Sequence, residues 1–104
     1  MIPSDTRLAL IDRATDLLGD AQISPKTYLL CIKHLRRQDL DVRDWHRCAD
    51  LAVTGALTHH QARLAASQLV ATGLLERRVH HRRRRGDKQF VEYRLTLPAG
   101  RAAQ

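Results

Sequence analysis

The residues best equipped for chemistry in this chain are cations and hydrogen-bonding side chains. Arg82, Arg83, Arg84, Arg85 and Lys88 place five positive charges within seven residues. Such a cluster repels itself unless an anion lies among its members, and a phosphate backbone or a narrow minor groove supplies one. A second group, His59, His60, Gln61, Arg63 and Ser67, with Leu64 on the same outward face, falls inside a segment of helical periodicity. There Arg can hold guanine through two hydrogen bonds and Gln can do the same for adenine, so these residues are candidates for base contact. Arg77 and Arg78 extend the basic surface.

The balance of charge supports that chemistry. The formal net charge is +7, yet residues 1 to 50 carry eight basic and eight acidic residues. Residues 51 to 104 carry ten basic and three acidic ones, so the whole excess lies in the C-terminal half. Fifteen of the eighteen basic residues are Arg, whose planar guanidinium suits phosphate and guanine. Nucleic acid is the expected partner, double-stranded DNA if the chain forms a helix-turn-helix.

Other chemistries find less support. The six histidines include two adjacent pairs, His59-His60 and His80-His81, whose side chains diverge on a helix or a strand, and no HxxxH or CxxC spacing occurs. No metal and no cofactor is expected. Cys31 and Cys48 read as packed thiols in a reducing cytoplasm. With no GxSxG or phosphate-loop motif, and with Asp39, Asp41 and Asp44 grouped around a helix start, the chain reads as a binding protein and not an enzyme. No apolar run reaches the ~20 residues of a membrane helix, and the expected location is the cytoplasm, in association with the nucleoid.

The elements that must position these residues follow from periodicity and punctuation. Ser4 can cap a first helix over residues 5 to 18, with Leu8, Ile11, Ala14 and Leu18 at helical spacing and Gly19 ending it. Ser24-Pro25 starts a second helix, with Leu29, Ile32 and Leu35 as its apolar face and an end near Gln38. Residues 39 to 42 read as a short extended connector, and a third helix is expected from Arg43 or Asp44, burying Trp45, Cys48, Leu51 and Ala52. TGAL at 54 to 57 breaks it. Thr58 caps a fourth helix, over residues 58 to 72, with Ala62, Ala65, Ala66, Leu69 and Val70 as its buried stripe and Gly73 as its end. LLERRVHH at 74 to 81 and QFVEYRLTL at 89 to 97 read as strands of a hairpin turning at Gly86-Asp87, and Pro98 begins a flexible tail over 98 to 104.

The expected fold class is therefore mainly α with a β-hairpin: a winged helix-turn-helix over residues 23 to 97 with an additional N-terminal helix over 1 to 22. That first helix must bury Leu8, Ile11 and Leu18 somewhere, and a homodimer interface is the expected place.

The stretch LAVTGALTHHQARLAASQLVATGLLERR resembles the helix-turn-helix of MarR-type regulators and the winged helices of plasmid and phage replication proteins. The matching residues are the Leu51-Ala52 pair, small Gly55 and Ala56 in the turn, Ala62 in the recognition helix, and the Gly73 to Arg77 step into the first wing strand. Asp87 resembles the acidic residue common in MarR-type wings. The resemblance implies a sequence-specific transcriptional regulator, in particular a repressor, with residues 58 to 72 in the major groove and the wing of residues 74 to 97 on the backbone or minor groove. Its alternative implication is a replication or partition accessory of a mobile element, or a winged helix that docks to a protein partner.

Overall fold

The computed structural model describes residues 4–37, 44–81, 84–86 and 89–96. In chain order the elements are α1 (Ser4–Gly19), α2 (Pro25–Leu35), β1 (His46–Arg47), α3 (Cys48–Gly55), α4 (His59–Ala71), β2 (Leu75–His80) and β3 (Phe90–Leu95). The three strands form one antiparallel sheet in the order β1-β3-β2. The architecture is thus mostly helical, with a small sheet at the C-terminal side.

Local chemistry explains most helix ends. Ser24 caps α2 by accepting a hydrogen bond from the Thr27 N–H, and Pro25 occupies the first turn, where no helical hydrogen bond is lost. Thr58 caps α4 from the Gln61 N–H while the Gln61 side chain accepts from the Thr58 N–H, so two orphan donors are satisfied reciprocally. At the far end of α4, Gly73 takes φ +83° and the Leu74 N–H returns to the Leu69 carbonyl, which turns the chain directly into β2.

The core unites all four helices and the sheet. One buried cluster joins Leu10, Ala14 and Leu17 of α1, Leu30 and Leu35 of α2, Leu51 of α3, Ala62, Ala66 and Leu69 of α4, and Tyr93 and Leu95 of β3. Small residues let the helices approach closely. A Cβ added at Gly55 would sit 3.0 Å from Leu30 Cδ1 and 3.1 Å from Leu57 Cδ1, so any larger residue there would require these side chains to give way by a few tenths of an ångström.

Three expectations are corrected. The third helix starts at Cys48, because His46 and Arg47 pair with Tyr93 and Glu92 of β3 as a strand, and Trp45 precedes that strand instead of lining a helix. The inward face of α1 is Leu10, Ala14 and Leu17; at about 100° per residue, Ile11 and Leu18 fall on its flank and Leu8 on its far side, 59% exposed. On α2 the buried face is Thr27, Leu30, Cys31, His34 and Leu35, while Leu29 points outward, and the helix ends at Leu35. The connector at 39 to 42 and the tail lie outside the described residues.

The turn between α3 and α4 carries strain that can be relieved. Ala56 sits in the left-handed region, φ 52° and ψ 44°, where an L side chain is disfavoured. Ala56→Gly is therefore expected to raise stability by about 1 kcal/mol, read as a higher urea midpoint with an unchanged slope.

Candidate nucleic-acid interface

The orientation of α4 decides which of its side chains can meet a ligand. Ala62, Ala65, Ala66 and Leu69 are buried, which turns His60, Leu64 and Ser67 outward and leaves them exposed. His59 and Arg63, also exposed, lie on the flank nearer α3 and the sheet, where the Cys48 thiol donates to the His59 carbonyl at 3.6 Å. Gln61 and Gln68 lie on the opposite flank, toward α2. The five residues expected to contact bases thus share one helix, but they do not share one face.

Three of those five are already engaged. The Gln61 side-chain oxygen accepts from the Thr58 N–H at 3.0 Å, so a two-bond contact with adenine would require the helix cap to open. Arg63 Nη2 lies 3.4 Å from His60 Nδ1. Arg63 is also within electrostatic reach of the buried seam between α4 and the sheet. Burial, and then Cys48, push the Tyr93 phenol up, while Arg77 and Arg63 pull it down. At Cys48 burial raises the thiol against the opposing influence of Arg63.

The hairpin separates its arginines by face. Register pairs Leu75 with Leu95, Arg77 with Tyr93 and Val79 with Val91 on the side facing the helices. Glu76 with Arg94, Arg78 with Glu92 and His80 with Phe90 lie on the other. On that outer side Arg78 bonds Glu92 at 2.8 Å and Arg94 bonds Glu76, and their guanidinium carbons lie 4.3 and 4.4 Å from the Trp45 ring centroid. Arg47 lies over Phe90, and His80 stacks on the same ring. Arg78 is therefore committed to neighbours within the sheet, whereas Arg77 is exposed on the helix-facing side. At the tip, Arg84 and Arg85 are exposed beside Gly86, which takes φ +96°; Arg82, Arg83, Asp87 and Lys88 lie outside the described residues.

Glu92 makes this outer face sensitive to acid. Its partial burial raises its pKa, but hydrogen bonds and charge from Arg78 and His80 outweigh that and hold the carboxyl below the ordinary glutamate range. A depressed folded-state pKa contributes stability above the unfolded value, and that contribution is lost as pH falls through the folded one. Thermal unfolding at successive pH values is expected to show this acid-side loss, with a smaller loss in Glu92→Gln.

Several residues important to the site carry no obvious sequence signal. Gln68 reaches from α4 to the start of α2, accepting from the Ser24 N–H at 3.0 Å and the Thr27 hydroxyl at 2.6 Å. Beside it a groove of about 160 Å³ lies between Lys26 and Thr27 on α2 and Gln61 and Leu64 on α4. Cys31 is buried, and burial pushes its thiol up to about 11. Of the residues expected at a dimer contact, Leu8 is exposed and Ile11 and Leu18 are partly covered by this chain's own core. Among the described residues no helix is long and apolar enough to cross a membrane. Compared with family models, with curated proteins and with solved structures, the chain finds no match.

Proposed function

We propose that this chain is a sequence-specific double-stranded DNA-binding regulator of transcription, acting as a repressor and associated with the nucleoid. In this reading α3, the tight turn and α4 are a helix-turn-helix, and β2 and β3 are its wing. The α4 helix enters the major groove, and the basic hairpin lies along the backbone or in the adjacent minor groove.

One observation carries the reading. The exposed side of α4 adjoins a hairpin in which Glu76 and Glu92 are engaged on the opposite face of the sheet, while its third acidic residue, Asp87, lies outside the described residues. Residues 51 to 75, which include all of α4, contain no Asp or Glu. A duplex approaching from the α4 side would therefore meet Arg63 and Arg77 with little opposing negative charge from α4 or from Glu76 and Glu92, as phosphate binding requires. Base readout falls to His59, His60, Arg63 and Ser67, with Gln61 contributing only through its amide nitrogen unless the cap opens.

Homodimerisation belongs to the same proposal. Leu8 on α1 and Leu29 on α2 are 59% and 53% exposed, on the half of the chain whose charges balance. Two copies joined there would present two α4 helices to an inverted repeat.

The test is a selection of bound fragments from random duplex DNA at fixed salt, followed by a footprint on the selected site. One short palindrome is the expected result. An array of direct repeats would favour a replication or partition role, and no retained duplex would overturn DNA binding.

A further inference from the structure

Leu64 occupies the middle of the outward face of α4, between His60 one turn before it and Ser67 one turn after. It is 54% exposed. Its surroundings are cationic or neutral: Lys26 stands across the groove on the α2 side, and Arg63 and Arg77 lie toward the sheet. An aliphatic centre flanked by cations is complementary to the major groove, where phosphates form the walls and the C5-methyl of thymine is the apolar group on the floor.

We infer that Leu64 reads the C5-methyl group of a thymine, so that the site bound by this chain carries a thymine opposite the middle of α4. The inference rests on the DNA-binding reading and names the base that the centre of α4 selects. Two features assign this role to Leu64. The amide oxygen of Gln61 is held in the Thr58 cap, which leaves the middle of the helix face to His60, Leu64 and Ser67. A second copy of the chain is a poor occupant, since contact through α4 would bring together the two halves that carry the whole +7 charge.

The experiment uses the full chain and the duplex it selects from a random pool. Each thymine in turn is replaced by deoxyuridine, which removes the methyl and leaves the pairing edge unchanged. The wild-type chain is expected to lose affinity about fourfold at one thymine per half-site, the worth of one buried methyl. Leu64→Ala, which keeps a strong helix former at an exposed position, is expected to bind the thymine and deoxyuridine duplexes equally.

If deoxyuridine is tolerated everywhere, or the loss persists in Leu64→Ala, the inference falls and DNA binding stands. Failure to retain any duplex removes both readings, and a protein partner would then be the occupant of this face.

Discussion

Replacing Arg82, Arg83, Arg84 and Arg85 together with alanine is expected to weaken binding to every duplex, cognate or scrambled, by about three orders of magnitude at 0.15 M salt. The estimate follows from counterion release. Each phosphate contact contributes about 0.9 to the slope of log affinity against log salt, so four lost contacts should flatten the slope by about 3.6. The discrimination between cognate and scrambled DNA should change little, since contacts to the backbone fix register without reading sequence. An unchanged slope would remove the hairpin tip from the interface. The same measurement on Arg78→Ala serves as a contrast: Arg78 is held by Glu92 and Trp45, so its loss should leave the slope near that of the unaltered chain.

Gln68→Leu is expected to destabilise the fold by about 1–2 kcal/mol, the net worth of two hydrogen bonds whose donors can be partly re-satisfied. The Thr27 hydroxyl can turn to the Ser24 Oγ at 2.9 Å and the groove lined by Ser24, Thr27 and Gln68 admits water, so part of the loss is recovered at both donors. Gln68→Glu retains an acceptor beside the positive end of a helix and should fold near normally at neutral pH. Urea unfolding of the two variants distinguishes a lost hydrogen-bond pair from lost packing. A Leu variant within ~0.5 kcal/mol of the parent would show that this link is dispensable. Because Gln68 ties α4 to α2, its loss should also blur the placement of α4 and lower affinity for cognate DNA.

The sequence made legible what local chemistry decides. Ser24-Pro25 and Thr58 announced helix starts because capping is a short-range event, and Gly73 announced an end because its φ is one that Gly adopts without strain. The alternation of Val91, Tyr93 and Leu95 against Phe90, Glu92 and Arg94 foretold which side of β3 faces the core.

What depended on distant partners was not legible. His46 and Arg47 become a strand only because β3 pairs with them, and nothing within the short segment around Trp45 distinguishes that from a helix start. On α1, apolar residues cover more than half the circumference, so packing and not periodicity selected Leu10 and Leu17 over Leu8. Thr27 and His34 are buried because their surroundings satisfy or enclose them, which hydrophobicity cannot reveal. At the candidate interface the residue types were legible. Their division between the flanks of α4 and the faces of the hairpin was not, because it follows from strand register and from the angle at which α4 meets the core.

The chain has a single tryptophan, and it is Trp45, whose ring lies against the guanidinium groups of Arg78 on β2 and Arg94 on β3. The protein therefore contains its own optical gauge of the hairpin. Any event that breaks the pairing of β1 with β3 and draws the hairpin off the segment around Trp45 separates the indole from its two cations and changes its emission, so opening of this sheet edge can be followed in the unlabelled chain.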